Sequence, residues 1–376
     1  MNRTVSIILS LLPLLWCTGS HASGLSVESG IQQEFWEDTR DSSGRQTLIP
    51  LRIEWAGENA AIGLLTGGVH AVVDMDGVGD RSLTTMLDTK INLSYIVEGK
   101  LPMDLLIGMD VNLPTGETGL STEDFFAMVL DRDPEIVTIT TFGEGYNYNP
   151  TLSFAKTWGP WSAGVGAGYT FRRPYDLVAG TDDYDPGDIF SLNALVQGES
   201  AKGYVGRIFG KFSRFGKDRW HGADLFREGD YRMVGIGISR AGDVWGADVN
   251  LRGTFRGKAE LLSGVSLATE PERSRGDEWS AEASVRRALG KDVSFSGSIR
   301  GLIVAENGYS DASTRHNGPK EKIALSVGYD RRFPGGMAAG VSLKGFLMTE
   351  EAQAVPQIRD ERTSRGIALA FRIGLN

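Results

Sequence analysis

The histidines and their acidic neighbours are the residues of this sequence with the clearest potential for acid–base chemistry. His221 lies between Asp218 and Asp224, and His316 follows Asp311. An Asp–His pair can deprotonate a hydroxyl group or a water molecule, so a hydrolase with a loop Asp/His site is one interpretation. No nucleophile motif accompanies either histidine. We therefore predict that the protein is not an enzyme, has no catalytic residues and needs no cofactor.

Metal binding is left open by the sequence. His70, His221 and His316 show no His-x-x-x-His spacing, and the only cysteine is Cys17, which argues against a zinc site. Residues Thr181–Asp188 place several carboxylates close together, a composition that can hold Ca²⁺, but they match no defined calcium loop. The sequence assigns no metal ligands.

Other charged residues alternate with apolar ones. From Trp245 to Phe255 every second residue is apolar or glycine, and the residues between them are mostly polar or charged. The same period recurs in Val293–Ile303 and Ile323–Tyr329. A period of two is typical of a β-strand whose two faces meet different environments. The pattern predicts an all-β protein.

Short and long connections alternate between these segments. The short turns are 57–59, 98–100, 158–160, 198–201, 241–243, 288–291 and 334–336, and the long connections are 38–46, 74–82, 114–146, 173–187, 214–229, 257–276, 306–320 and 349–364. This asymmetry predicts a transmembrane antiparallel β-barrel of sixteen strands, with short periplasmic turns and long extracellular loops. Residues 188–198 and 231–240 carry apolar side chains on both faces and are less clear as wall strands. A barrel of fourteen strands is therefore an alternative. A soluble periplasmic sandwich is the competing fold.

The N-terminal segment is predicted to be a signal peptide. Arg3 precedes an apolar run from Val5 to Trp16, and Ser20-His21-Ala22 has the pattern of a cleavage site. The run is shorter than the ~20 residues that span a bilayer as a helix. We therefore expect residues 1–22 to be removed and residues 23–376 to form a single barrel domain in the outer membrane of a Gram-negative cell.

The net charge of the chain indicates which classes of binding partner are expected. A net charge of -9 and a pI near 5.2 leave no basic excess for phosphates, so nucleic acid is not an expected partner. The expected partners are outer-membrane lipid, lipopolysaccharide and a small-molecule solute. The oligomeric state is not predicted.

If the apolar face of each strand meets lipid, the polar face encloses a lumen. A barrel of fourteen to sixteen strands is too wide for side chains to fill, so a charged lining holds water and forms a channel. The predicted pore-lining residues are Asp104, Asp110, Arg207, Lys211, Asp248, Arg252, Arg300 and Asp330. Both signs of charge occur, which argues against a strict ion filter. Opposite charges can also pair across strands and brace the wall.

The longest connection, residues 114–146, is predicted to set the width of the lumen. Ser121 and Asp124 are spaced like a capping box, and the apolar run Phe125–Leu130 that follows is typical of a short helix that packs inward or on the rim. The predicted constriction-loop residues are Glu123, Asp124, Phe125 and Asp131. A solvated extracellular flap is the alternative.

Several short motifs between residues 113 and 188 resemble a known family. They are Leu113-Pro-Thr-Gly116 at a strand end, Asn149–Phe154, the Trp158-Gly-Pro-Trp161 turn, Gly164–Tyr169 and Tyr184–Asp188. Together they are similar to the outer-membrane transporter family associated with phenol-degradation clusters, of the MetA-pathway type. The resemblance implies an outer-membrane barrel that passes hydrophobic or aromatic compounds, and it implies no substrate-binding residues.

These observations predict an outer-membrane pore or facilitated-diffusion channel for small solutes, with hydrophobic or aromatic compounds as one solute class. Two alternatives stay open. One is the barrel-anchored hydrolase with a loop Asp/His site, and the other is a closed structural or receptor barrel.

Overall fold

The computed structural model describes residues 24–75, 79–121, 143–176, 179, 183–351 and 361–375. The predicted signal peptide lies outside these residues. In the part of the chain that the structure describes, no helix is both long enough and apolar enough to cross a membrane.

The described residues fold into β-strands. In chain order these are β1 (Gly24–Asp38), β2 (Ser43–Ala56), β3 (Ala60–Met75), β4 (Gly79–Met86), β5 (Thr89–Val97), β6 (Asp104–Leu113), β7 (Asn147–Trp158), β8 (Trp161–Arg172), β9 (Tyr184–Asp185), β10 (Ile189–Glu199), β11 (Tyr204–Phe215), β12 (Asp218–Trp220), β13 (Ala223–Arg227), β14 (Tyr231–Ala241), β15 (Trp245–Arg256), β16 (Glu260–Ser263), β17 (Ser266–Thr269), β18 (Glu278–Ala288), β19 (Val293–Val304), β20 (Lys320–Arg332), β21 (Met337–Glu350) and β22 (Arg362–Leu375). All of them belong to one of two antiparallel sheets.

The larger sheet closes into a barrel. β1 pairs with β22, in a register that runs from Val27 opposite Leu375 to Asp38 opposite Ser364. β4 and β5 both pair with β3, so they are two parts of one wall strand that is interrupted at Leu87.

The described wall therefore has sixteen strands, which confirms the predicted antiparallel barrel. Residues 188–198 and 231–240 form β10 and β14, so the fourteen-strand alternative is wrong. A single closed sheet also excludes the two-sheet sandwich.

Apolar side chains cover the outer face of the wall. Val249 and Leu251 of β15 are 42% and 49% exposed, and Leu325 of β20 is 58% exposed. An apolar surface of this extent is unfavourable in water and matches the lipid-facing band of a transmembrane barrel. The inward-facing residues are those between them, because side chains alternate along a strand.

The connections differ in part from the sequence prediction. All seven short turns join neighbouring wall strands at one end of the barrel, as predicted. Two of the predicted long connections, 38–46 and 74–82, are wrong. β1, β2 and β3 extend over 15, 14 and 16 residues, so only 39–42 separate β1 from β2 and only 76–78 separate β3 from β4. The strands continue into the segments 38–46 and 74–82 because backbone hydrogen bonding between strands does not require alternating apolar residues. The sequence prediction had relied on that alternation.

Three of the long connections carry a second sheet. β9, β12, β13, β16 and β17 pair in the order β17-β16-β13-β12-β9 at the end opposite the short turns. We call this sheet the canopy. Its strands are two to five residues long, too short to show a period in the sequence.

Candidate functional site on the inner wall

The predicted pore-lining residues all lie on wall strands, on the face opposite the exposed apolar side chains. Asp104 and Asp110 lie on β6, Arg207 and Lys211 on β11, Asp248 and Arg252 on β15, Arg300 on β19, and Asp330 on β20. Their contact with a solute stays a prediction.

Several of these charges form ion pairs on the inner wall. Arg207 Nη2 lies 2.6 Å from Asp248 Oδ2, and Arg372 Nη2 lies 2.6 Å from Asp330 Oδ1. Arg300 Nη2 lies 3.4 Å from Glu282 Oε2. Side chains of both signs therefore brace the wall between neighbouring and next-nearest strands.

Two of these pairs reach across an intervening strand at a glycine. Gly237 of β14 lies opposite Arg207, and Gly340 of β21 lies between Asp330 and Arg372. A Cβ atom at Gly237 would lie 2.7 Å from Arg207 Nε, and one at Gly340 would lie 2.8 Å from Arg372 Nε. The missing side chain makes room for each guanidinium group to cross its neighbour.

A cavity whose lining residues are mostly polar or charged lies on the inner wall between β3 and β8. Its volume is about 270 Å³, and its lining includes Lys90, Asn92, Asp110, Asn112, Asn147 and Asn149. Asp110 is fixed in place by two amides, because Asn92 Nδ2 donates to Oδ1 over 2.6 Å and Asn149 Nδ2 donates to Oδ2 over 3.1 Å.

Two buried amide oxygens beside this cavity accept no hydrogen bond from the residues that the structure describes. Asn112 and Asn147 are cross-strand partners, and Asn112 lies opposite Lys90 on its other side. The Nδ2 groups of both asparagines donate to the protein, but neither Oδ1 accepts a hydrogen bond from a residue that the structure describes. Asn147 is only 8% exposed. Buried polar atoms are normally paired, so these oxygens mark a place where a donor is expected.

The sequence analysis missed these asparagines. A signal was present, because asparagine recurs at inward-facing positions of three consecutive wall strands, β5, β6 and β7. Only the register between the strands brings them into one cavity.

Asp88 was also missed. Its carboxylate is 3% exposed and accepts hydrogen bonds from Asn112 Nδ2 at 2.9 Å, from Gly116 N at 3.0 Å and from Glu144 N at 2.9 Å. Gly116 and Glu144 lie at the two ends of the longest outer connection. Asp88 therefore ties both ends of this connection to the interruption between β4 and β5.

The Leu113-Pro-Thr-Gly116 motif makes further contacts at the same interruption. Thr115 Oγ1 donates to the Leu87 carbonyl over 2.8 Å and accepts from Thr89 N at 2.8 Å. The motif therefore has a structural role, because its hydrogen bonds fix the end of β6. The predicted constriction residues Glu123, Asp124, Phe125 and Asp131 lie outside the described residues.

The inner face is not polar everywhere. On the flank formed by β20 to β22 and β1 to β3, a buried apolar cluster contains Trp36, Ala71, Val73, Ala324, Phe346 and Met348. Gln32 and Glu34 of β1 are buried there as well, at 1% and 2% exposure. On this flank the inner side chains therefore pack closely together, which the sequence analysis did not predict.

The predicted Asp/His pairs lie outside the membrane, and the structure changes one of them. His221 Nδ1 lies 3.4 Å from Asp183 Oδ2, whereas Asp224 binds Lys217 Nζ at 2.7 Å. Hydrogen bonds from Lys217 and then from Arg219 hold the pKa of the Asp224 carboxyl below its usual range.

His316 does lie near Asp311, as the sequence predicts, with His316 Nε2 and Asp311 Oδ1 3.6 Å apart.

Asp218 does not pair with His221 but accepts hydrogen bonds within the canopy. It accepts hydrogen bonds from the Tyr184 hydroxyl at 2.6 Å and from Gly187 N at 2.7 Å. Burial and then this hydrogen bond raise the pKa of Tyr184 above its ordinary value. The bond joins β9 to β12.

The acidic segment Thr181–Asp188 does not gather its described carboxylates. Asp183 faces His221, while Asp188 accepts hydrogen bonds from the Tyr169 hydroxyl and from Arg172 N. Residues 181 and 182 lie outside the described part. The structure gives no support to a calcium site here.

The closed wall with its apolar outer band defines the chain as a transmembrane β-barrel of the outer-membrane type. No protein-family model and no curated protein sequence matches it. The membership suggested by the motifs in residues 113–188 therefore stays a prediction.

Solved structures of outer-membrane proteins share the fold. A TodX monoaromatic hydrocarbon channel with the deltaS2 mutation is 9% identical, with 94% of this chain and 91% of that chain covered and a TM-score of 0.48. The CymD monoaromatic hydrocarbon channel is 13% identical, with 94% and 88% covered and a TM-score of 0.46. A FadL homologue from Pseudomonas aeruginosa is 9% identical, with 93% and 90% covered and a TM-score of 0.45. At these identities the similarity concerns the fold alone.

Proposed function

We propose that the protein is a passive, water-filled channel of the outer membrane for small polar solutes. The observation that carries this proposal is the exposed fraction of charged side chains on the inner wall. Arg300 and Arg372 are 48% and 51% exposed, although their strand neighbours point toward lipid. A charge in an enclosed wall stays unburied only where water reaches it.

The cavity beside β5 to β7 supports the solute class. Its lining includes Lys90, whose ammonium group can donate hydrogen bonds, and Asp110, whose carboxylate can accept them. A solute that carries hydroxyl or amino groups can form hydrogen bonds with both groups.

Hydrophobic or aromatic compounds are a second candidate solute class. The buried apolar cluster around Trp36, Phe346 and Met348 favours them, because it places apolar side chains on the inner wall. The hydrolase and the closed receptor barrel stay alternatives.

Planar-bilayer recordings of the refolded chain test the proposal. We expect stepwise conductance, and we expect Arg372→Gln to raise the ratio of cation to anion permeability about sevenfold. The reason is that a unit charge at about 7 Å in water contributes about 0.6 kcal/mol to the energy of a passing ion, with opposite sign for a cation and for an anion. The reversal potential in a salt gradient measures this ratio.

Arg365→Gln is the matched control. Arg365 lies on β22, the same strand as Arg372, but on its outer face, where it pairs with Glu37. We expect no change in the permeability ratio. The absence of conductance, or equal shifts in both variants, would contradict the proposal. Liposome-swelling rates with a monosaccharide and with an aromatic acid of similar size then separate the two solute classes.

A further inference from the structure

We propose that Glu306, Asp311 and His316 form a zinc site in the outer connection between β19 and β20. A ligand atom from each of these residues lies within 4.8 Å of the others. The site is independent of the proposed channel function, since it lies outside the membrane-spanning wall.

The orientation of His316 is the strongest argument. The imidazole is buried, with the residue 7% exposed, and Nδ1 lies 2.8 Å from the Tyr309 carbonyl oxygen. A carbonyl can only accept, so Nδ1 carries the proton. Nε2 is therefore the ring nitrogen that can bind a metal; it faces the carboxylates and lies 3.6 Å from Asp311 Oδ1, beyond hydrogen-bond length. Metal-binding histidines are fixed in this way by a backbone carbonyl on their other nitrogen.

A rigid frame holds the connection in shape. Asn307 is 6% exposed, and its Nδ2 donates to the Arg315 carbonyl at 2.6 Å and to the Ser274 carbonyl at 3.2 Å. The backbone N–H of Asn307 also donates to the Asn317 carbonyl at 3.0 Å. These bonds place Glu306 beside His316 before any metal arrives, so little ordering is needed on binding.

The donor set favours zinc over calcium. One imidazole nitrogen and two carboxylate oxygens suit Zn²⁺, which takes nitrogen and oxygen ligands at about 2.0–2.2 Å and leaves a fourth position for water. Calcium prefers six to eight oxygen ligands and gains little from imidazole. The two carboxylates are exposed and can rotate inward by the small distance that coordination requires.

The sequence analysis argued against zinc because it looked for regular spacing. Glu306, Asp311 and His316 lie in an irregular connection, where separation along the chain does not determine which side chains meet. Only the turn around Tyr309 brings the three together.

Isothermal titration of the refolded full chain with ZnCl2 in a chelator-treated buffer tests the site, with cobalt absorption as a second readout. We expect one ion to bind per chain. Glu306→Gln and His316→Ala should each weaken binding at least tenfold, since even the loss of groups that only support a metal ligand weakens binding about 10- to 100-fold. Glu306 is exposed, so its variant should fold even if the His316 variant does not.

His221→Ala is the matched control, because His221 is also a histidine of the outer connections with a carboxylate nearby. We expect it to bind zinc as the parent does. The proposal is overturned if the parent shows no saturable binding, if Glu306→Gln binds as the parent does, or if His221→Ala weakens binding equally.

Discussion

The replacement of Gly30 by valine is expected to destabilise the closed barrel by about 3 kcal/mol, the upper range for overpacking in a close-packed region. Gly30 lies in β1 at the closing seam, opposite Arg372 of β22. A Cβ atom there would overlap the carbonyl oxygen of Phe371 and lie 3.1 Å from the Cα atom of Arg372. These are backbone atoms, so the clash can be relieved only if β1 and β22 move apart.

The fraction of protein that keeps heat-modifiable gel migration, and the free energy of unfolding in urea with lipid vesicles, measure this effect. Gly374→Ala is the control in the same seam, because its Cβ atom would lie 3.6 Å from the Val27 carbonyl oxygen, an ordinary contact. We expect that variant to stay within about 0.5 kcal/mol of the parent. Equal stability of both variants and the parent would show that the seam is not closed at Gly30.

The second large effect is expected for Asp88→Ala, which should lower the free energy of unfolding by about 3–5 kcal/mol. Hydrogen bonds to a charged group contribute about 1.5–3 kcal/mol each, and bonds that share one acceptor are not additive. The variant leaves the Gly116 and Glu144 N–H groups without their acceptor. Both ends of the 114–146 connection lose their attachment to the wall.

Amide hydrogen exchange in peptides that contain Gly116 and Glu144 should speed up in this variant, while peptides of β15 keep their protection. Asp104→Ala is the control, since Asp104 accepts one exposed hydrogen bond from Gly99 N at 3.1 Å. We expect it to lower stability by less than about 1 kcal/mol. Unchanged exchange at Gly116 and Glu144 in Asp88→Ala would contradict the assigned anchoring.

Most wall strands could be predicted from the sequence because apolar side chains on the lipid-facing side alternate with polar side chains on the inner side, an alternation that β10 and β14 show less clearly. β15 shows this best, since its apolar and polar residues alternate over the whole strand. The turns were predictable for a similar reason, because the chain reversal needs particular local residues such as Gly159, which has a φ of 55°.

Contacts between distant segments could not be predicted in this way. Arg207 reaches Asp248 only because Gly237 lies between them in the register, and no property of Arg207 alone indicates that. Asp88 is a similar case, since its three donors come from residues 24, 28 and 56 positions away from it along the chain. The canopy strands were missed because two to five residues carry no measurable period.

Pro50 illustrates how the wall tolerates a residue that the ladder disfavours. Proline cannot donate a backbone hydrogen bond, and it lies here in a central strand where such donors are normally needed. Its partner on β3 is Gly67, the pairing with β1 is interrupted between Ser29 and Gln32, and Ser29 Oγ donates to the Pro50 carbonyl at 2.9 Å. The sequence shows the proline but not the glycine opposite it.

The alternation of lipid and water along one strand is tested most directly by single cysteines in a Cys17→Ser background. Asn250→Cys and Arg252→Cys should react quickly with a charged thiol reagent when the barrel is in liposomes. Val249→Cys and Leu251→Cys should be protected from the reagent and quenched by brominated lipid tails when they carry a fluorophore. Fast reaction at 249 and 251 with slow reaction at 250 and 252 would contradict the water-filled lumen.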